Sequence, residues 1–308
     1  MKTTIPVILS SDNNYAKYLD VTLISILANA KKDTFYDVYI LMSPDFSKKS
    51  QKLIQQDASK YKINKINIVN LNNAFSGYKT APHITTPAFY RLNASEILPK
   101  KYEKCIYLDV DICVRTDLKD YFNTDLENNI FAGVRDVMIK QRWFNFVFPR
   151  HKQKLKIDSL QNYINSGAII MNLKIIRREQ LKKTFCSQLS NNYFVSDQDV
   201  INKIGYNRIK ILPLEYNFIT SSDLIKQSKK FIGHYSAEEI ENACKNPKII
   251  HYAASYRKAW KCPHKHYSKY WWEYAKNSSF LQEIIQSNSE KKILKKKYQT
   301  NVSKATQR

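Results

Sequence analysis

The sequence predicts an α/β protein on a parallel sheet wound by right-handed crossovers, and three observations carry that prediction. Short apolar runs alternate with helical periodicity from residue 5 onward. The order strand, helix, strand, helix, strand is the pattern of right-handed crossovers between parallel strands. A chain of 308 residues with 43 % hydrophobic content can also bury a full core.

The elements follow in order. "IPVILS" predicts the first strand; after it Tyr15, Tyr18, Leu19, Leu23, Ile26, Leu27 and Ala30 fill one helical stripe. "YDVYILM" (36–42) is a second strand, Pro44 and Asp45 break the chain, and "SKKSQKLIQQDASKY" is a polar-faced helix before the strand "INKINIVNL". "PAFYRLNASEILP" (87–99) predicts a helix opened by Pro87 and closed by Pro99, with the strand "KCIYLDVD" behind it. Residues 136–163 lose periodicity, mix aromatics with bases and suggest an irregular lid or insertion. "SGAIIMNL" (166–173) predicts a buried strand and "LKIIRREQLKKTFCSQLSNNY" a single helix with a basic face. "SDQDVINKI" (196–204), "IKILPLEYNF", the strand "PKIIHY" (247–252) and the aromatic helix "YSKYWWEYAKNSSF" complete the order. No repeat or flexible linker divides the chain, so one domain is expected over 1–280, with a basic tail over 281–308.

Composition narrows the function classes. No stretch approaches the roughly 18 consecutive apolar residues of a membrane span, and "MKTTIPVILSSDNNY" lacks the apolar core and cleavage site of a secretory signal, so a cytoplasmic location is expected. Cys105, Cys113, Cys186, Cys244 and Cys262 lack paired metal-type spacing and suit reduced thiols. "CPHKH" (Cys262, His264, His266) has no matching second half and reads as a surface loop. Fifty Lys plus Arg against 27 Asp plus Glu give +23, which attracts any polyanion: nucleic acid, anionic lipid or a phosphorylated substrate. "KKILKKKYQTNVSKATQR" (291–308) carries seven basic residues and no acid, a solvated face or a surface drawn to an anionic membrane. The five glycines are scattered, so no glycine loop exists to cradle phosphates.

"CIYLDVDICVRTDL" (105–118) sets Asp109 and Asp111 in an otherwise apolar run. Burying an unpaired carboxylate costs several kcal/mol or more. On an extended strand the two acids project to one face while Val110 faces the other. Either a divalent cation neutralises them, which would also hold a diphosphate without a glycine loop, or Arg91, Arg115 or water does so. Strand carboxyl ends are where open α/β sheets gather ligands.

"YLDVDICVRTDL" resembles the Asp-x-Asp segment of the bacterial retaining enzymes of glycosyltransferase family 8, which build lipopolysaccharide and lipooligosaccharide. Five further segments are similar in the same order: "SSDNNYAKYLDVTLISIL", "ITTPAFYRLNASEILP", "YINSGAIIMNL", "SDQDVIN" and "IIHYAASYRKAW". Together they run from about residue 5 to 280. The resemblance implies a GT-A nucleotide-diphospho-sugar transferase fold, an α/β architecture with a mixed, mostly parallel sheet between helices, and it implies roles only where the motifs align. Asp12, Asn14 and Tyr15 would meet uracil and ribose, Tyr15 by stacking; "SDNNY" is equally a helix cap. Asp109, Asp111 and His251 would hold Mn²⁺, with Mg²⁺ as the alternative, and Val110 would lie against the donor. Lys258, or its neighbour Arg257, would meet the β-phosphate. Arg91 would hold carboxylates and donor through its forked guanidinium. Asn165, Asp197 and Gln198 would face the transferred sugar; their plain structural reading is a turn and a helix start capped by Ser196 with Asp199. The chain departs from the family pattern at Ala253, Ala254 and Ala259, and the path from His251 to Trp260 is one residue longer.

The implied activity is Mn²⁺-dependent transfer of galactose or glucose from a UDP-sugar to a glycolipid or oligosaccharide acceptor, at the inner face of the cytoplasmic membrane. Residues 136–163 would face the acceptor. The rival classes are a basic nucleic-acid-binding protein and a non-catalytic UDP-sugar sensor. With no nucleic-acid motif in the chain, nucleic acid is not an expected partner.

Overall fold

The computed structural model describes residues 3–61, 64–72, 74–75, 77–78, 86–139, 150–191, 193–220, 235–253 and 257–287. Its strands are β1 (Thr3–Ser11), β2 (Thr34–Met42), β3 (Asn64–Asn70), β4 (Cys105–Leu108), β5 (Ile112–Val114), β6 (Phe131–Arg135), β7 (Ile164–Met171), β8 (Ile209–Ile211), β9 (Phe218–Ile219) and β10 (Ile249–His251). The α-helices are α1 (Ala16–Ala28), α2 (Lys48–Ser59), α3 (Ala94–Ile97), α4 (Lys119–Phe122), α5 (His151–Leu155), α6 (Leu173–Arg178), α7 (Leu181–Leu189), α8 (Ser196–Ile204), α9 (Ala237–Lys245) and α10 (Ser268–Ala275).

Seven strands form the main sheet in the order β3-β2-β1-β4-β7-β6-β8. Only β7 runs against its neighbours, β4 and β6, so the sheet is mixed and mostly parallel. Successive strand residues face opposite layers: Val7 and Leu9 join one apolar cluster and Ile8 the other. A second sheet, β5-β10-β9, stands beside the first.

Helix α1 departs from the predicted single stripe. It packs against β1, α2, β5 and α10 and is buried on nearly every side, Asp20, Thr22 and Ser25 included. Each of those side chains makes a hydrogen bond through at least one atom. The Thr22 hydroxyl is shared between the carbonyls of Val110 (3.0 Å) and Ile112 (2.8 Å). Ser25 accepts the Val114 N–H at 3.0 Å, and Asp20 accepts the Ser278 hydroxyl at 2.6 Å.

Three other expectations are corrected. Residues 87–99 are mostly a 3₁₀ helix, Thr86–Asn93, and only then α3; the tighter winding buries Arg91 among Phe89, Tyr90 and Leu92. "KCIYLDVD" is not one strand: β4 stops at Leu108, and Asp109–Asp111 form the turn into β5. The long basic helix is two, α6 and α7. Gln180, in the left-handed region at φ 52°, breaks it, and Arg208 holds the neighbouring Glu179 at 2.7 and 2.9 Å.

The insertion at 136–163 lies partly outside the described residues; the described part holds α5 and buries Asp136 and His151. At the far end, residues 281–287 are helical and packed: Ile284 is fully buried and Glu283 pairs with Lys17 at 3.0 Å. The basic stretch 291–308 lies outside the described residues. The five cysteines are free thiols, and among the described residues the loop with Cys262, His264 and His266 forms no metal-type cluster.

Candidate active site

A cleft of about 300 Å³ opens where β1, β4 and β7 end or begin, closed by the N-terminus of α8 and by the chain after β10. At its centre one ligand atom each from Asp109, Asp111 and His251 lies within 4.8 Å of the others. The acids reach it from a turn rather than from one face of a strand. The Asp109 N–H donates to the Gly167 carbonyl at 2.7 Å and the Tyr252 N–H to the Asp111 carbonyl at 3.0 Å, so backbone bonds on both sides hold the turn. Val110, expected to face the opposite layer, lines the cleft instead, its carbonyl held by Thr22.

His251 is buried, with Nε2 3.2 Å from Asp111 Oδ1 and 3.8 Å from Asp109 Oδ2. Its tautomer follows from a chain of amides. Asn217 donates through Nδ2 to Asn165 Oδ1 (2.9 Å), which turns Asn217 Oδ1 toward His251 Nδ1 at 3.0 Å. Nδ1 is then the donor, and the Nε2 lone pair is aimed at the acids. Gly167 is required by close approach: a Cβ there would collide with His251 Cε1 and lie 2.8 Å from Asp109 Oδ2.

Two cations balance the acids. Lys258, 8 % exposed, sets its ammonium on Asp111 Oδ2 and also reaches the Ala253 carbonyl (3.3 Å). Burial alone would raise the Asp111 carboxyl, but the Lys258 ammonium outweighs it and holds the group well below the usual carboxylate range. Arg91, 3 % exposed, donates to Asp109 Oδ1 (2.8 Å) and the Ser166 carbonyl (2.6 Å), and its Nε lies 3.1 Å from Asp197 Oδ2. Its guanidinium also stacks over Tyr107, 3.9 Å from the ring centre, while the Tyr107 hydroxyl donates to Asp109 at 2.8 Å. Burial works against the charged guanidinium, yet Asp109 and Asp197 raise its pKa above the ordinary value. For Asp197 burial wins over Arg91, pushing its carboxyl up to about 6.

Gln198 and Asn165 stand on the opposite wall. Gln198 accepts the Ser166 N–H at 3.0 Å and donates to Asp136 Oδ2 at 2.9 Å; Asn165 donates to the same oxygen at 3.2 Å. At the mouth, Asp12 caps the short 3₁₀ helix Asn13–Tyr15 by accepting the Tyr15 N–H at 3.0 Å. Its carboxyl is raised, chiefly by burial. Tyr15 is 36 % exposed and meets Tyr18 and Trp260 edge-on, while Tyr18 stacks on Trp260 with centres 3.7 Å apart. That stack docks the segment carrying Lys258 against α1.

The structure thus brings Asp12, Tyr15, Arg91, Asp109, Val110, Asp111, Asn165, Asp197, Gln198, His251 and Lys258 to one cleft. Asn14 is exposed and does not line it; its N–H helps hold the Asp12 carboxylate. Lys258 reaches the acids. The α8 start differs from the expected cap at Ser196: the N-cap position is Val195, whose N–H donates to the Asp199 carboxylate at 2.8 Å. Sequence reasoning missed Asp136, Asn217, Tyr107 and Ser166. Tyr107, two residues before Asp109, was within reach of a pattern argument; Asn217 was not, because only folding brings it to His251.

Strand order, the reversed β7 and a charged cleft at the strand ends define a GT-A nucleotide-diphospho-sugar transferase fold. The galactosyltransferase LgtC, solved with donor and acceptor sugar analogues, shares it: TM-score 0.72, 22 % identity, over 89 % of this chain and 96 % of that one. Residues 6–262 match Glycosyl transferase family 8, and the chain belongs to that family. A putative glycosyltransferase of Haemophilus influenzae is 28 % identical over 230 residues, 73 % of this chain and 66 % of that protein. The lipopolysaccharide 1,2-glucosyltransferase of Escherichia coli K12 is 26 % identical over 250 residues, 79 % of this chain and 69 % of that one. The chain therefore spans about two thirds of the length of these two relatives.

Proposed function

We propose that this protein is a retaining glycosyltransferase that moves galactose or glucose from a UDP-sugar to a surface glycan such as lipopolysaccharide or lipooligosaccharide, with Mn²⁺ or Mg²⁺ as cofactor. The observation that carries this reading is the convergence of Asp109, Asp111 and His251 beside Lys258, with Asp197, Gln198 and Asn165 across the same cleft. The donor set fits such an ion: two carboxylates and an imidazole whose free lone pair already points at them. When bound, the ion would supply electrostatic stabilisation to the diphosphate as it leaves.

The remaining work falls to the chain. Tyr15 offers an exposed aromatic face for the base, and Asp12 an acceptor for ribose or uracil. The Lys258 ammonium stands ready to share its charge between Asp111 and a phosphate. Arg91 pairs with both Asp109 and Asp197, so that the donor is met by groups that need not reorganise. Gln198 and Asn165, pinned by Asp136, face the hexose; the acceptor hydroxyl attacks C1 as the bond from C1 to the diphosphate oxygen breaks on the same side, and the hydroxyl proton passes to the departing phosphate. The acceptor class is supported by the lipopolysaccharide glucosyltransferase among the relatives. We place the protein at the inner face of the cytoplasmic membrane, held by its basic C-terminal stretch at on the order of 1 kcal/mol per basic residue.

Turnover of UDP-glucose and UDP-galactose, with and without chelator, tests the reading. Donor hydrolysis or transfer that stops in chelator supports it. UDP binding with no turnover of any UDP-sugar would make the chain a sensor, and steep salt-dependent DNA binding with no UDP binding would make it a nucleic-acid protein. Removing residues after 287 should weaken binding to anionic vesicles; unchanged partitioning would remove the membrane assignment.

A further inference from the structure

Behind the wall that carries Gln198 lies a second cavity, of about 330 Å³. Nine residues line it, among them Tyr163, Asn202, Tyr206, Asn207, Gln161 and Asn162, and none is charged. One residue in four of this chain is charged and the net charge is +23, so a neutral lining sets this surface apart. Its size lies at the lower end of small-molecule sites.

The chemistry of the lining is that of a polyol partner. Amides and phenols both donate and accept, as sugar hydroxyls do. Among the described residues no hydrogen bond engages the side-chain amides of Gln161 and Asn207 or the Tyr206 hydroxyl. The half-buried Tyr206 ring, with Ile157 and Ile209, adds an apolar face against which the C–H side of a pyranose can lie. The lining itself carries no cation; the Arg135 guanidinium stands behind Asn162, donating to its Oδ1 at 3.2 and 3.3 Å.

The floor, by contrast, is rigid. Asn202 is buried, accepts the Ile164 N–H at 2.7 Å, and donates to the carbonyls of Ile164 and Gln198, both at 2.8 Å. Tyr163 donates to Asp199 at 2.6 Å and lies 3.3 Å from Gln198 Nε2. The cavity and the charged cleft are therefore built back to back on β7 and α8.

We propose that this cavity is a second, non-catalytic saccharide-binding site that takes a neutral pyranose unit, independent of whether the charged cleft transfers sugar. The experiment titrates the full chain with lactose, maltose and cellobiose, followed by calorimetry and saturation-transfer NMR, with glucose 6-phosphate as the charged control. Saturable binding of at least one disaccharide is expected. It should weaken roughly tenfold in Tyr206→Ala and several-fold in the surface variant Gln161→Ala. It should persist in Asp109→Asn and in the presence of UDP. Absence of saturable binding overturns the proposal. So does binding that both variants leave unchanged, binding lost in Asp109→Asn or displaced by UDP, or tighter binding of the phosphorylated sugar. Should Tyr206→Ala not fold, Gln161→Ala, whose side chain is exposed, decides alone.

Discussion

The two cavities share β7 and α8 yet differ in nearly every physical respect. The cleft gathers buried acids and bases in alternation: Asp197, Arg91, Asp109, and then Asp111 with His251 and Lys258. The neutral cavity has amides and phenols on a floor of satisfied hydrogen bonds. A buried ion costs much more to leave alone than an amide does, so Asp109, Asp111 and Asp197 are each met by Arg91 or Lys258. The difference teaches that one strand and one helix can carry a site for a charged ligand and a site for an uncharged one. Their amide and carboxylate side chains are divided between the two sides.

That division can be broken from the charged side first. Asp109→Asn removes a charge that Arg91 and His251 face, and should lower transfer by roughly a thousandfold while disaccharide binding persists. Kinetics and circular dichroism check it, and full activity in a folded variant would remove Asp109 from the chemistry. Gly167→Ala puts a methyl into His251 and against Asp109; it should cost about 1–3 kcal/mol in a denaturant titration and abolish Mn²⁺ binding. Unperturbed Mn²⁺ affinity would mean that the cluster is not the ion's site.

Proton linkage sharpens the contrast, because the neutral cavity has nothing to titrate near neutrality. Burial raises Asp197 from 3.8 to about 6, so the folded chain keeps a proton that the unfolded chain has released. The stability this contributes, on the order of 3 kcal/mol, is fully present below pH 4 and is lost as the pH rises through 6. In chelator, the pH dependence of stability between 4 and 7 should therefore be flatter in Asp197→Asn than in the native chain. Identical slopes would contradict the shift. The smallest effect expected is that of Asn217→Ala. It frees the His251 ring without touching a charge and should weaken Mn²⁺ binding by roughly tenfold, read by calorimetry. Unchanged affinity would show that Asn217 does not set the tautomer.

The sequence carried the parallel half of the sheet well, because β1, β2 and β4 are apolar runs with no competing periodicity. It carried α1 less well, since Asp20, Thr22 and Ser25 look like a solvent face and are instead bonded to β5, the acid turn and Ser278. The paired acids were legible as letters of one short motif, and His251 as a letter of a separate segment far along the chain. Their geometry was not: an alternating run predicts one continuous strand, and the chain bends at Asp109 because β5 leaves to join the other sheet. Asn217 and Asp136 were illegible for a plainer reason. Each acts across 34 and 62 residues of chain, on His251 and Gln198 respectively, and no local pattern encodes such a meeting.

The departure of β5 has one more consequence. Asp109 closes a strand of the large sheet, whereas Asp111 leads into β5, and His251 ends β10 directly opposite Ile112 in the small one. A cation shared by all three would fasten the two sheets together like a removable rivet. Chelation would then loosen the joint between them before it melted either sheet, and hydrogen exchange should speed up first along that seam.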